Sequence, residues 1–413
     1  MPTKVLDLDL EQLPPVIADL VGYPRALALL RWRGKPVGQV ILDVHHDQIT
    51  RADVLTAVSL LEEVWMRVDR LLLYEILDWD EVDVLQAEPP RATVAVCTRD
   101  RPEDLHRCLE ALIRLPDDGQ EILVVDNNPS TDETYQVVMR YGEKVRYIRE
   151  DQPGLDIARN RALREAKYEL IAFNDDDAVP DPGWLRALVR NFRDPAVMCV
   201  TGLTMPFELE TEAQEWFERY SPFSRGFQRK VYDWEVINPV SAVRVGVGAN
   251  MAVRRSVLDL VGPFNEALDT GTPTRSGGDV EMFARILRKG YRIVYDPAAL
   301  SWHRHRRSWE DLRKALYGYG VGVYATFTHN LLYEWEFFVL VQAINWFVMD
   351  QFPNLLRGFL HRPDSLPLDL VVTELTGCLA GPWAYVRSRK AVRRKMMKDD
   401  KHSTVGQRSY TNP

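Results

Sequence analysis

The stretch ATVAVCTRDRPEDLHRCLEALIRLPDDGQEILVVDN, residues 92–127, decides the fold class of this chain. It begins with a short apolar run of strand-forming residues, 92–98, and ends with a second run of the same kind, 121–127. Between them, residues 101–115 show the apolar spacing of a helix, with Pro102 in the first turn, where proline is tolerated. A strand, a helix and a strand in this order predict a βαβ unit with parallel strands.

The same alternation continues along the chain. We predict a helix from Ser130, a strand at 145–150, a helix at 155–166 and a strand at 169–175. Repeated βαβ units indicate an α/β domain with a mostly parallel, Rossmann-like sheet.

Three of the predicted strands end in a polar residue that suits ligand binding, namely Thr98, Asp126 and Asp175. Ligands of Rossmann-like sheets bind at the carboxyl ends of the strands, so we expect these side chains to share one site. The carboxylate of Asp126 can accept hydrogen bonds from a base NH or from ribose hydroxyls. The alternative is that Asp126 only caps the turn at 127–129.

Three consecutive aspartates, Asp175, Asp176 and Asp177, follow the fourth strand in the stretch IAFNDDDAVPDP, residues 171–182. Like charges side by side repel one another, so this sequence indicates a positively charged ligand. Alternate residues share an orientation at a strand end, so we expect Asp175 and Asp177 to face one ligand and Asp176 to point elsewhere. Carboxylate oxygens suit Mg²⁺ or Mn²⁺. The alternative is a solvated acidic loop before a helix that starts near Asp181.

The composition is that of an ordinary soluble globular protein, with 46% hydrophobic and 27% charged residues in a chain of 413. The net charge of −8 argues against general nucleic-acid binding, which needs a basic surface. The 4 cysteines have no paired spacing for zinc or a redox motif, so we expect free thiols in a reducing compartment.

The sequence predicts neither a signal peptide nor a membrane-spanning helix. The first residues contain no apolar h-region, and the most apolar run, 337–349, is shorter than the roughly 20 residues of a span. We therefore expect a cytoplasmic protein and leave peripheral contact with the inner face of the membrane open. Residues 384–401 are rich in Lys and Arg, which suits an anionic lipid surface or, alternatively, a solvated tail.

Residues 1–90 are predicted to form an accessory unit. Two apolar runs flank the turn signal RGKP at 33–36 and predict a β-hairpin. A helical stretch follows, with Thr50 or Asp53 as its cap, and the segment AEPPRA, 87–92, is the predicted linker.

Two further regions complete the predicted organisation. Residues 91–307 form the α/β domain, and residues 308–413 form a helical, aromatic region with the basic tail. Within the domain, residues 208–240 show no clean period and suggest a loop over the site or an insertion.

Seven segments resemble, in order and spacing, the motifs of a family 2 glycosyltransferase with the GT-A fold. Four look like its nucleotide-binding half: TVAVCTRDRPEDLHRCLEAL (93–112), EILVVDNNPSTDET (121–134), GLDIARNRALREA (154–166) and LIAFNDDDAVPDPGWL (170–185). Three look like its acceptor half: VGVGANMAVRRSVLDLVGPFNEAL (245–268), SGGDVEMFARILRKGYRIVYDP (276–297) and WHRHRR (302–307). The resemblance implies a GT-A domain, here with a small N-terminal α+β unit and a helical C-terminal region.

The resemblance also implies a site for a nucleotide-diphosphate sugar. Asp177 would bind a divalent cation, Mn²⁺ or Mg²⁺, on the diphosphate, and Asp175 would lie near the ribose. The residues implied in binding the nucleotide-sugar are Thr98, Arg99, Arg101, Asp126, Asn127, Arg159, Asp175 and Asp176. Arg159, near the start of its helix, can reach a phosphate with two hydrogen bonds, whereas we expect Arg161 and Arg164 to be solvated.

His303 is implied as a third metal ligand, with His305 as the second candidate. A histidine that follows an aromatic residue is otherwise a packed or solvated side chain. Arg304, Arg306 and Arg307 would neutralise the leaving diphosphate, or else form a basic surface loop.

Asp279 is implied as the general base that removes a proton from the acceptor hydroxyl. From the residues alone, Asp279 is also a favoured N-cap of the helix that follows Gly277 and Gly278. The family usually carries Glu before this Asp, and here Gly278 stands in its place. Glu281 is the rival base, but it lies about 200° around the helix from Asp279, so we do not expect both to face one substrate atom.

The resemblance implies an inverting, metal-dependent glycosyltransferase of polysaccharide or glycoconjugate synthesis, with a nucleotide-sugar donor and a sugar or lipid-linked acceptor. Processive members carry a Gln-x-x-Arg-Trp motif, which residues 303–316 lack, so we expect transfer of one or a few sugars. One alternative is a sugar nucleotidyltransferase, although residues 96–105 lack a Gly-rich triphosphate loop. Another is a catalytically inactive nucleotide- or glycan-binding module.

Overall fold

The computed structural model describes residues 2–77, 90–360 and 365–408, and at 396 and 398–408 it describes the backbone alone. The N-terminal region of this structure contains small sheets and two helices. Its elements are β1 (Thr3–Asp9), β2 (Val16–Ile17), β3 (Arg25–Trp32), β4 (Lys35–Asp43), β5 (Ile49–Thr50), α1 (Arg51–Ser59) and α2 (Glu62–Ile76). Strands β1, β3 and β4 form one sheet, and β2 pairs with β5. The predicted hairpin is β3–β4, and Arg33 and Gly34 make its turn with φ angles of 49° and 76°.

The predicted helical stretch after Thr50 is two helices rather than one. Thr50 and Asp53 form a reciprocal capping box at the start of α1, so both residues predicted as alternative caps take part. The backbone leaves the helical region at Leu61, where ψ is 77°, and this separates α1 from α2. The predicted linker at 87–92 lies partly outside the described residues.

A nine-stranded sheet forms the centre of the described structure. Its strands are β6 (Ala92–Thr98), β7 (Glu121–Asn127), β8 (Arg146–Glu150), β9 (Leu170–Asn174), β10 (Ala178–Pro180), β11 (Val197–Pro206), β12 (Lys230–Tyr232), β13 (Asn250–Arg254) and β14 (Arg292–His303). Their order is β10-β14-β11-β13-β9-β6-β7-β8, and β12 pairs with β14. The strands from β9 to β8 are parallel, whereas β13 runs antiparallel to β9 and β11. The predicted α/β class with a largely parallel sheet is confirmed.

Helices cover this sheet and make up the C-terminal region. They are α3 (Pro102–Ile113), α4 (Glu133–Met139), α5 (Leu155–Glu165), α6 (Trp184–Val189), α7 (Glu212–Tyr220), α8 (Val257–Leu260), α9 (Gly278–Arg288), α10 (Trp309–Tyr333), α11 (Phe338–Trp346), α12 (Phe352–Phe359) and α13 (Leu368–Arg408). Leu105, Leu109 and Leu112 of α3 share one helix face and are fully buried in the same core as the strand residues Val94 and Val124. This spacing is the apolar pattern that predicts α3.

Two predicted segments differ in the structure. Helix α4 begins three residues after Ser130, because the amide and hydroxyl of Ser130 both donate to the carboxylate of Asp100 at 2.8 Å. Residues 208–240 are not an irregular loop, since they contain α7 and β12. A capping box between Thr211 and Gln214 fixes the start of α7.

The chain divides into two compact units. The first unit comprises Met1–Asp151, Arg161–Pro263 and Phe283–Leu312, and the strands of the described residues lie in it. The second unit comprises Gln152–Asn160, Phe264–Met282 and Arg313–Pro413, and its described elements are helices. In the first unit, Leu29 of β3 packs with Leu203 and Leu300 of the central sheet. The N-terminal region therefore shares a core with that sheet, and the three-domain division at 90 and 307 stays a prediction.

Helices α10 and α13 approach each other closely within the second unit. A Cβ atom on Gly320 would lie 2.3 Å from the carbonyl oxygen of Glu374, and one on Gly377 would lie 2.3 Å from that of Tyr317. Only glycine fits at these two contacts. Among the residues that the structure describes, no helix combines the length and apolarity needed to cross a membrane.

Candidate active site

The three aspartates lie in the turn between β9 and β10. The side-chain amide of Asn174 fixes this turn by donating to the carbonyl oxygens of Asp175 and Ala178, at 3.0 and 3.1 Å. Strand β10 then pairs antiparallel with β14, and Ala178 stands opposite His303. This long-range pairing brings the end of β14 beside the aspartates.

Asp175, Asp177 and His303 form a cluster of possible metal ligands. Oδ1 of Asp177 lies 3.1 Å from Nε2 of His303, and one ligand atom from each of the three residues lies within 4.8 Å of the others. Asp177 and His303 are buried, whereas Asp175 is half-buried. Two carboxylates and one imidazole suit Mn²⁺, or Mg²⁺ that keeps several waters, and leave coordination positions for phosphate oxygens. The side chains present therefore fit the expected divalent cation.

Positive charges surround Asp177. Burial disfavours its ionised form, but the charges of His303, Arg306 and Arg101 outweigh burial and hold the pKa of Asp177 well below its ordinary value. For the neighbouring Asp176, burial is the larger effect and raises the pKa to about 7, although Arg101 opposes it. The two adjacent carboxyls thus differ strongly in their tendency to ionise, and Asp177 is the one that stays charged.

Asp176 is not a member of the metal cluster and has other partners. Its Oδ2 accepts a hydrogen bond of 2.7 Å from the hydroxyl of Thr98, and its Oδ1 accepts one of 3.1 Å from Arg101. Arg101 also donates to Oδ2 of Asp177 at 3.0 Å. Thr98, Arg101 and Asp176 therefore join the ends of β6 and β9, and their roles in binding a nucleotide-sugar stay predictions.

The three arginines after β14 have different partners. Arg306 donates to Oδ2 of Asp177 at 3.2 Å. Arg304 instead binds Asp104 and Glu208, both at 3.2 Å, and Arg307 also binds Glu208. Arg306 is thus the member of this basic segment whose position suits a diphosphate on the metal.

Asp126 is fully buried at the end of β7. Its Oδ2 accepts a hydrogen bond of 2.9 Å from the Tyr147 hydroxyl, while no donor among the described residues binds its Oδ1. Burial raises the pKa of Asp126 to about 6, and the Tyr147 hydrogen bond only partly offsets it. A buried carboxylate oxygen without a donor suits a ligand NH or hydroxyl. Beside it, Asn127 is buried and Arg99 is partly exposed.

Arg159 is enclosed by acidic side chains in the second unit. Its Nη1 donates to Oδ1 of Asp156 at 3.0 Å and to Oδ2 of Asp269 at 2.8 Å, and the side chain is buried. The adjacent Asn160 binds the backbone of Phe264 through both its oxygen and its nitrogen. The predicted role of Arg159 as a phosphate ligand would require an exchange of these partners and stays a prediction.

Asp279 is the second residue of α9 rather than its N-cap, because the helix begins at Gly278. Its Oδ1 accepts from the amide of Val280 at 2.8 Å, and the side chain is half-buried. Glu281 is fully buried, with its Oε1 3.3 Å from Nε2 of His329. Of the two candidate bases, Asp279 is therefore the more accessible to solvent, and its role as the base stays a prediction.

The sequence analysis missed several charged residues near these sites. Asp156 and Asp269 hold Arg159, and Glu218 binds His305 at 2.9 Å. Of these contacts, only that between Asp156 and Arg159 could have been predicted from the sequence, because an acid three residues before an arginine on one helix can reach it. The other two contacts join segments far apart in the chain.

Residues 93–261 match the family model described as Glycosyl transferase family 2. This stretch of the chain therefore has the sequence pattern of a family 2 glycosyltransferase domain. The match includes Asp126 and the three aspartates, while Asp279 and His303 lie beyond it. Together with the sheet described above, it confirms the family and the GT-A fold class that the motifs predict.

Curated relatives of this family 2 domain come from bacteria and archaea. The pre-mycofactocin glycosyltransferase of Mycobacterium tuberculosis is 27% identical over 266 residues, which are 62% of this chain and 52% of the relative. Glycosyltransferase AglE of Haloferax volcanii is 27% identical over 54% of this chain and 70% of the relative. The chain thus spans about half the length of the first of these. Among solved structures, the mannosyltransferase PcManGT from Pyrobaculum calidifontis in complex with GDP-Man and Mn²⁺ aligns with a TM-score of 0.45 at 19% identity, over 83% of this chain and 88% of that one.

Proposed function

We propose that this chain is an inverting, metal-dependent glycosyltransferase that moves a sugar from a nucleotide-diphosphate sugar to an acceptor hydroxyl. The observation that carries the proposal is the cluster of Asp175, Asp177 and His303 within a family 2 glycosyltransferase domain. The ligand atoms of this cluster lie at the carboxyl end of β9, which is the ligand-binding edge of such a sheet.

The donor half of the proposed reaction uses the metal cluster and its arginines. Asp175, Asp177 and His303 would hold the cation, which when bound neutralises charge on the departing diphosphate. Arg306 and Arg101, which both contact Asp177, add positive charge at the same place. Asp126 is proposed to accept a hydrogen bond from the base or the ribose through its Oδ1.

The acceptor half of the proposed reaction depends on Asp279. As the acceptor oxygen bonds to the anomeric carbon, its proton passes to the Asp279 carboxylate, and the bond to the diphosphate breaks. The amide of Val280 donates a hydrogen bond of 2.8 Å to Oδ1 of Asp279 and holds the carboxylate in the first turn of α9. Attack on the side opposite to the leaving group inverts the anomeric configuration.

Peripheral contact with an anionic membrane surface is part of the proposal. Two groups of exposed side chains support it, one on α11 and α12 and one on α13. Helices α11 and α12 expose large apolar residues such as Ile344 and Phe359, with exposed fractions of 63% and 72%. On α13, Leu379 and Trp383 are 83% and 69% exposed, and exposed basic residues follow from Arg387 onward on the same helix. Apolar side chains beside basic ones suit lipid tails and anionic headgroups, respectively. A lipid-linked acceptor and a cytoplasmic location fit this arrangement and stay proposals.

A donor screen tests the proposed reaction. The full chain is incubated with UDP-, GDP- and dTDP-sugars and Mn²⁺, and nucleoside diphosphate and pyrophosphate are measured separately, with and without EDTA. Release of nucleoside diphosphate that EDTA abolishes supports metal-dependent transfer. In a parallel incubation with sugar 1-phosphates and nucleoside triphosphates, release of pyrophosphate would instead identify a nucleotidyltransferase. Binding without turnover in both incubations would identify an inactive binding module.

A further inference from the structure

A chain of four side chains in contact begins at the proposed metal site. Nε2 of His303 lies 3.1 Å from Oδ1 of Asp177, and Nδ1 of His303 lies 3.2 Å from Nδ1 of His305. Nε2 of His305 lies 2.9 Å from Oε2 of Glu218. Each contact is within hydrogen-bond distance, so the two imidazoles connect the metal ligands to a carboxylate that does not reach the metal.

This chain of contacts is enclosed by aromatic rings. The rings of Phe217 and His305 have centroids 4.3 Å apart, and Phe223 packs edge-on against both His303 and His305. His305 is 2% exposed and His303 is 6% exposed. Phe217 and Glu218 both lie on α7. The segment 208–240, predicted to be a loop over the site or an insertion, therefore provides part of the surroundings of the proposed metal ligand.

The hydrogen-bond pattern has a fixed direction once a cation is bound. Nε2 of His303 faces Asp177 and is the nitrogen that would hold the cation, in which case the proton of that neutral ring is on Nδ1. Nδ1 of His303 must then donate to Nδ1 of His305, which acts as the acceptor. His305 would therefore carry its own proton on Nε2 and donate it to Oε2 of Glu218.

We propose that His305 and Glu218 are positioning residues that fix the tautomer and the ring orientation of His303 as a metal ligand. The inference rests on the proposed function, because it assumes a divalent cation at Asp175, Asp177 and His303. Carboxylates that orient a metal-bound histidine are a general device, and here a second histidine lies between the carboxylate and the ligand.

Measurement of Mn²⁺ affinity in the full chain tests the proposal without an activity assay. Two variants break the chain of hydrogen bonds: His305→Phe keeps a ring against Phe217 and Phe223, and Glu218→Ala removes the carboxylate. We expect each to raise the Kd for Mn²⁺ about 10- to 100-fold, measured by calorimetry or by the electron paramagnetic resonance signal of free Mn²⁺.

Glu215→Ala is the matched control. Glu215 lies on the same helix as Glu218, and its side chain is equally exposed at 15%, but it pairs with Arg25 at 2.9 Å. We expect its Kd for Mn²⁺ to equal that of the wild type. A loss of affinity in Glu215→Ala as large as in Glu218→Ala would assign the effect to the stability of α7 and overturn the proposal.

Asp177→Ala separates this inference from the proposed function. If Asp177→Ala loses Mn²⁺ binding while His305→Phe and Glu218→Ala keep the wild-type Kd, the metal site stands and the positioning role is wrong. If Asp177→Ala binds Mn²⁺ like the wild type, the metal site itself is wrong.

Nuclear magnetic resonance of the unmodified protein provides a second test that needs no variant. With ¹⁵N-labelled histidine and saturating Mg²⁺, we expect the proton of His303 on Nδ1 and that of His305 on Nε2. A Mg²⁺-loaded protein with the His303 proton on Nε2 would overturn the proposal, whatever the variants show.

Discussion

The carboxylate of Asp156 fills the space that a side chain at Gly278 would need: a Cβ atom on Gly278 would lie 2.0 Å from Oδ2 of Asp156. Asp156 is fully buried, and Arg159 holds its other oxygen at 3.0 Å, so the carboxylate has little freedom to move. The glycine before Asp279 is therefore a packing requirement. The acid expected at that position by resemblance is absent, and a carboxylate from α5 fills the place that its side chain would need.

Gly278→Ala is expected to destabilise the protein by about 1–3 kcal/mol, because the new methyl group displaces the Asp156 carboxylate from Arg159. Helix propensity alone would make Gly278→Ala more stable than the wild type by up to about 1 kcal/mol. A fall in the free energy of unfolding therefore distinguishes the steric effect from helix propensity. Urea unfolding measures it, with Gly183→Ala as the control, since a Cβ there would have only an ordinary contact of 3.6 Å. In an Asp156→Ala background the cost of Gly278→Ala should shrink, and an unchanged cost would contradict the explanation.

Asp177→Ala is expected to abolish Mn²⁺-dependent binding of a nucleotide-sugar. Repulsion among three adjacent aspartates would predict equal or higher stability for this variant. The structure reverses that expectation, because Arg101, Arg306 and His303 all lose a partner, and we expect a loss of about 1–3 kcal/mol. Calorimetry and thermal melting measure the two effects. Glu110→Ala, at a partly exposed acid, should change neither, and Mn²⁺-dependent binding that survives in Asp177→Ala would refute the assignment.

The stability of Asp126→Asn relative to the wild type is expected to increase as the pH rises. The folded-state pKa of Asp126 is raised to about 6, so folding favours its protonated form, and the wild type loses that stability between about pH 4 and 6. Asparagine carries no such proton and can still accept from Tyr147. The difference in Tm should therefore grow across this range and level off above it. A difference that does not depend on pH would count against a raised pKa.

The same Asp126→Asn variant should bind the nucleotide less tightly. This expectation follows because Oδ1 of Asp126 is the atom proposed to accept from the base or the ribose. Tyr147→Phe serves as the comparison, since it removes the hydrogen bond to Oδ2 and keeps the carboxylate. Thermal shift with UDP and GDP measures the loss, and equal affinity in Asp126→Asn and the wild type would exclude the contact.

Asp279→Asn is expected to lower the transfer rate by at least about a hundredfold with little change in nucleotide-sugar affinity, because a general base contributes about 10² to 10⁴ in rate. Glu281→Gln should mainly affect stability, since Glu281 is buried beside His329. Single-turnover kinetics and direct binding separate the two effects. Should Glu281→Gln lose the chemistry while Asp279→Asn keeps it, the base is two residues further along the chain.

Co-flotation with anionic liposomes is expected for the full chain and should weaken as salt rises. Leu379→Ser and Trp383→Ser each remove an exposed apolar side chain from α13 and should reduce flotation, whereas Leu60→Ser, at a residue 79% exposed in the N-terminal region, should not. Flotation that is absent, or equal in all variants, would dismiss the membrane surface. A concentration-dependent dimer lost in the α13 variants would assign this face to a second copy.

The sequence by itself determined the β3–β4 hairpin, the strands β6 to β9, and the helices α3 and α5 that lie between those strands in the chain. It also determined the ends of β6, β7 and β9, where Thr98, Asp126 and Asp175 lie. These features follow from local periodicity and from the rule that parallel strands align their carboxyl ends, so they need no knowledge of distant contacts. The family motifs likewise lie in short continuous segments.

Only the tertiary structure decided which side chains meet. His303 lies beside Asp177 because β10 pairs with β14, Glu218 reaches His305 because α7 packs near the end of that strand, and Asp156 fills the space at Gly278 because α5 lies against the start of α9. Each contact joins segments far apart in the chain. Local patterns specify an element and its buried face, but the pairing of distant elements depends on the packing of the whole core, which no short stretch of sequence contains.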